Sequence, residues 1–143
     1  MSENETSPKG YGPDYQSPFG LSVHHVQIAI PPGSEDECRA FYVDALGMLE
    51  IQKPPMLAAR GGLWVRADAL EIHLGVERDF RPAAKAHPGI HVEDLDGLAA
   101  RLTKHNIDVT WDDNFPGHRR FYVHDNLGNR LEFLRRDDSQ PGR

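Results

Sequence analysis

Three histidines and a glutamate stand out for their chemistry: His25, His73, His87 and Glu132. His25 and His87, like His73 and Glu132, lie about 60 residues apart, the scale of one structural repeat. Imidazole nitrogens and a carboxylate oxygen are ligands of divalent ions. A half-open set of this kind suits Zn, Ni, Fe, Co or Mn and leaves room for water or a substrate. An ion so held is a Lewis acid that stabilises negative charge developing on a substrate oxygen. Most histidines do nothing of the sort, and His24, His105, His118 and His124 are read as surface or supporting residues.

Strand phase sets the four apart. Residues 22–30 alternate as a strand, with Val26, Ile28 and Ile30 facing one way and His25 and Gln27 the other. In a strand over 70–76, Leu70, Ile72, Leu74 and Val76 form the aliphatic face and Glu71, His73 and Gly75 its reverse. His87 opposes Ile90 and Val92 in a strand over 87–92, and Glu132 opposes Leu131 and Phe133 in one over 130–134. If helices cover the aliphatic faces, all four candidates line the uncovered one. Glu71 and His73 share that face, and either can reach an ion there.

The helices have their own signals. Ser34 followed by Glu37 is a capping-box pattern, and Cys38, Phe41, Tyr42, Ala45 and Leu46 fall on one helical face before Gly47 ends it. Asp94 is placed to cap a helix carrying Leu95, Leu98, Ala99 and Leu102. Further short strands are expected over 49–53, 63–66, 109–111 and 120–123, with the turn-forming run Asp125-Asn126-Leu127-Gly128-Asn129 before the last strand. Both halves thus read β-α-β-β-β. The expected fold class is α+β, with tandem modules over about 21–77 and 87–136 joined by the charged stretch 77–86. Residues 1–20 read as a disordered N-terminal arm and 137–143 as a flexible tail.

With these motifs in place, the chain resembles the vicinal oxygen chelate superfamily, the glyoxalase, bleomycin-resistance and extradiol-dioxygenase group. The resemblance rests on His24-His25-Val26-Gln27-Ile28-Ala29-Ile30, on Ala40-Phe41-Tyr42 with Leu46-Gly47, and on His87-Pro88-Gly89-Ile90-His91-Val92-Glu93-Asp94-Leu95-Asp96. The segment Asp125 to Phe133 is its most specific piece. The resemblance implies paired βαβββ modules forming a U-shaped mixed sheet around a divalent metal. It puts the first ligand on His25, the third on His87 and the fourth on Glu132. For the second, His73 is favoured over Glu71, because His73-Leu74-Gly75 repeats the way the family's ligand precedes an aliphatic residue and the strand's end. Members with glyoxalase I activity usually carry Glu there, so His73 makes the site more positive by one charge. The ring-cleaving dioxygenases use two His and one Glu.

The expected function is therefore a glyoxalase-like, metal-dependent lyase or isomerase acting on a small oxygen-bearing substrate through an enediolate or similar oxyanion, with Glu132 and His73 as the catalytic pair. The alternatives are a non-catalytic drug-binding protein of the bleomycin-resistance kind and, ranked last, an extradiol dioxygenase. Among other residues, Glu93, Asp94 and Asp96 suit a helix start. Trp64, Arg66, Arg120 and Tyr122 are candidates for the cavity wall or for solvent. Trp111 and Phe121 suit a core or dimer interface, and Cys38 suits buried packing. A formal charge of −6 over 143 residues argues against nucleic acid as a partner. No apolar run is long enough for a bilayer, the start lacks a signal peptide's pattern, and one cysteine allows no internal disulfide. A cytoplasmic homodimer binding a small molecule is the expectation.

Overall fold

The alternation that marks the strands also builds the core. A computed structural model describes residues 15–137; the expected arm up to residue 14 and the tail from 138 lie outside them. The first module runs β1 (Val26–Ile30), α1 (Glu35–Cys38) continuing as a π-helical stretch (Arg39–Ala45), β2 (Leu49–Ile51), α2 (Pro55–Ala58), β3 (Leu63–Ala67) and β4 (Leu70–Val76). The second runs β5 (Gly89–His91), α3 (Leu95–Lys104), β6 (Thr110–Asp112), β7 (His118–His124) and β8 (Arg130–Arg136).

Each module makes one four-stranded mixed sheet, in the orders β1-β4-β3-β2 and β5-β8-β7-β6. The first strand of each pairs parallel with the last, which requires the helical crossover between them. The architecture is the expected α+β pair of βαβββ modules. It is built as two four-stranded sheets, one from each module, each with its first strand at one end of the strand order.

One hydrophobic cluster runs through both modules, from Ile28, Ile30, Phe41, Ile72 and Leu74 to Leu95, Leu102, Phe121, Leu131 and Phe133. The modules are also joined by hydrogen bonds around the 125–129 turn. Buried Asp125 accepts from the Tyr42 hydroxyl at 2.7 Å and from Asn129 Nδ2 at 3.0 Å on one oxygen. Its other oxygen accepts from the backbone N–H of Leu127 and Asn129. Asn129 Nδ2 also donates to the Ala29 carbonyl in β1. Burial pushes the Tyr42 hydroxyl well above its ordinary pKa, with the Asp125 charge adding to it. Arg101, on α3, donates to the carbonyls of Asp44 and Ala45 at the end of the first module's helix, where a cation meets unpaired C=O groups.

Three local expectations are corrected. Ser34 does not cap α1, because its hydroxyl turns back to donate to the Pro31 carbonyl at 2.7 Å. The helix then widens to π geometry, with the Leu46 N–H reaching the Phe41 carbonyl, before Gly47 ends it at φ +85°. The first strand begins at Val26 rather than residue 22, leaving Leu21 and Val23 exposed. Asp94, by contrast, caps α3 as expected, accepting from the Gly97 N–H at 3.0 Å.

Candidate functional site

The strand registers relate the four candidate ligands to one another. Gln27 on β1 stands beside His73 on β4, and Gly89 on β5 beside Glu132 on β8. His25 and His87 each lie two residues before that position, on the same face. The two modules therefore present equivalent pairs, His25 with His73 and His87 with Glu132. Glu71 has no counterpart of its kind, since Arg130 occupies the equivalent place on β8.

The first pair is a ring stack. His73 lies between His25, with ring centroids 3.8 Å apart, and Trp64, at 3.9 Å and nearly parallel. Trp64 stands directly opposite His73 on β3. This sandwich leaves His73 only 6% exposed although it is on the polar face. His73 Nε2 hydrogen-bonds Glu71 Oε2 at 2.8 Å. A carboxylate only accepts, so the imidazole Nε2–H is the donor. That bond and the Arg66 guanidinium beside it hold the Glu71 carboxyl below its ordinary range. His24, given a supporting role from sequence, has its Nδ1 2.9 Å from that of His25.

The second pair is a hydrogen bond. His87 Nε2 lies 2.9 Å from Glu132 Oε1, and His87 Nδ1 donates to the Lys85 carbonyl at 2.8 Å. Arg120 holds the other Glu132 oxygen at 3.1 Å and Asp112 at 2.6 Å. The Asp112 carboxyl sits below its ordinary range, chiefly through the Asn114 backbone N–H and then through Arg120. Tyr122, opposite Glu132 on β7, touches His87 edge-on and carries the Arg130 guanidinium over its ring at 4.0 Å.

Each pair is assembled, but one chain does not join them. Among the described residues no three His, Cys, Asp or Glu side chains gather as a metal ion would require. The donor types of the second pair, an imidazole and a carboxylate, nonetheless suit a divalent ion. A backbone carbonyl fixing the Nδ1–H of His87 is the usual second contact of a metal-ligating imidazole.

Other sequence candidates separate cleanly. Trp64, Arg66 and Glu71 line a cleft of about 610 Å³ with His24, Ile51 and Lys53. Asp96 pairs with Arg119. Phe121 is core, whereas Trp111 is half exposed. Burial pushes the Cys38 thiol up to about 12, which suits packing and not nucleophilic chemistry. Trp64 and Arg120 are cavity-wall candidates from sequence, but their partners, His73 for the one and Asp112 and Glu132 for the other, are not legible there, since they depend on cross-strand register. No helix among the described residues is long and apolar enough to cross a membrane.

No protein-family model matches the chain, and no curated protein matches it. Solved structures do. A protein from Bacillus anthracis, provisionally placed in the glyoxalase family, is 43% identical with a TM-score of 0.81, covering 85% of this chain and 100% of that one. TnmS3, an antibiotic binding protein from Streptomyces sp. CB03234, shares the fold at 20% identity and a TM-score of 0.64, covering 82% and 99%. A glyoxalase/bleomycin resistance protein/dioxygenase from Alicyclobacillus acidocaldarius does so at 23% and 0.60, covering 79% and 92%. The chain belongs to the glyoxalase family, within the vicinal oxygen chelate superfamily.

Proposed function

We propose that this protein is a metal-dependent glyoxalase-type lyase or isomerase, and that its site is completed across a homodimer. His25 and His73 of one protomer and His87 and Glu132 of its partner would hold the ion. The observation that carries this reading is the matched register of two ligand pairs that one chain leaves apart. The terminal places of β1 and β5 in their sheets, next to the two pairs, support association with a second copy.

When bound, the ion supplies Lewis-acid stabilisation of negative charge on the substrate's oxygens. The chain's own residues do the rest. The Trp64–His73–His25 stack fixes the His73 ring. Arg120 orients Glu132 by one oxygen and leaves the other facing His87. Glu132 and His73 are the residues assigned to hold and move a proton. Metal analysis of the purified protein beside His73→Ala tests the reading. One divalent ion per site in wild type and weakened retention in the variant are expected; no ion in either contradicts it.

A second reading, a non-catalytic small-molecule binder, draws on the antibiotic binding of TnmS3 and on the Arg120–Glu132 ion pair, which occupies a ligand oxygen. It requires ligand binding without metal that survives His25→Ala.

A further inference from the structure

The open face of the first sheet carries a cleft whose chemistry is not that of the ligand pairs. Its walls are flat and hydrocarbon-rich: Trp64, Ile51, Pro54 and Pro55. Ile51 stands opposite Trp64 on β2, so the two share one side of the sheet edge. Its volume, about 610 Å³, falls in the range of roughly 300–1,000 Å³ common for small-molecule sites.

Its rim is cationic. Lys53 spends one of its three N–H groups on the Gly61 carbonyl. Arg66 engages Glu71 through Nε and Nη2, and its Nη1 makes no hydrogen bond among the described residues. The carboxylate of Glu71 is already taken up by Arg66 and His73. Donors outnumber acceptors at this rim.

We infer that this cleft takes a planar aromatic carboxylate, its ring against Trp64 and its charge answered by the cationic rim that Lys53 and Arg66 form at the two ends of the cleft. The inference builds on the proposed function in taking this face as the substrate side of the site. A neutral ring of the same size meets the same walls but leaves the cations unanswered, so charge is what the cleft discriminates. Charge-assisted hydrogen bonds are the strong ones, and an Arg or Lys contact to a carboxylate sets orientation as well as affinity.

Calorimetric titration of the full chain with naphthoate, beside its neutral analogue naphthylmethanol, tests this. Naphthoate should bind saturably and at least about tenfold more tightly than the alcohol. Lys53→Met and Arg66→Met combined should weaken it by about tenfold, the effect of losing one charge-assisted contact. In NMR spectra the Trp64 indole N–H should shift on binding and that of Trp111 should not, the two being assigned through Trp111→Phe. Equal affinity for the alcohol, no naphthoate binding, or a double Lys53→Met, Arg66→Met variant that binds as wild type would each overturn the inference. His87→Ala separates it from the metal reading: metal should be lost while naphthoate affinity stays within about threefold. Charge-selective naphthoate binding by a protein that takes up no divalent ion would leave the cleft standing and remove the metal site. Metal uptake without naphthoate binding would do the reverse.

Discussion

Trp64 and His73 face each other across β3 and β4, and their rings stack 3.9 Å apart with planes 4° from parallel. The indole thus holds one side of a candidate ligand while His25 holds the other. A ligand ring gripped in this way needs little reordering on binding an ion, which lowers the entropic cost of forming the site.

Trp64→Leu keeps an apolar residue on β3 but removes the stack. Metal affinity should fall by about tenfold, the lower range for loss of a supporting contact, with the fold retained by circular dichroism. Competition against a chelator measures it, and an unchanged affinity would show that the stack does not position His73.

Tyr42→Phe deletes the hydroxyl that serves buried Asp125. The carboxylate keeps its Leu127 and Asn129 donors but loses its link to the first module. The expected cost is about 1–3 kcal/mol in urea unfolding, as for a buried acceptor that loses a partner. A cost near zero would mean that the Tyr42–Asp125 bond does not help to hold the modules together.

Glu35 accepts from the Gly62 N–H at 2.8 Å, and that bond is the main reason its carboxyl lies below the ordinary value of 4.5. Gly62 sits at φ +81°, where a Cβ would meet the Leu74 carbonyl, so this turn offers its N–H in one fixed direction. A depressed folded pKa stabilises the protein above the unfolded value and loses that contribution as pH falls through the folded one. Glu35→Gln keeps an acceptor but not the charge. The stability gap between the two proteins should be constant from pH 7 down to about 4.5 and close below that. A gap unaffected by pH would contradict the assignment.

Much of the fold was legible because its signals are local. The strand over 70–76 and the α3 cap at Asp94 follow from alternation and one side chain, and both stand as read. Ser34 misled because its hydroxyl had a nearer acceptor in Pro31 than the helix could offer. The single turn α2 escaped notice, since Pro55 to Ala58 is too short to show a period. Asp125 read as a turn former, and nothing in its own neighbourhood announces a hydroxyl 83 residues away. The polar faces of the two ligand pairs were readable from strand phase. Which residues stack on them or neutralise them was not, because Trp64 and Arg120 meet His73 and Glu132 only through register.

The most direct test is subunit complementation between His25→Ala and Glu132→Ala, each expected to bind metal poorly alone. When the two are refolded together and the mixed dimer is isolated by differential tags, one site carries both defects and the other carries neither. The mixed dimer should bind one divalent ion, against two for the wild-type dimer and none for either variant. A mixed dimer that binds none, or a protein that stays monomeric while holding its metal, would contradict a site shared between protomers.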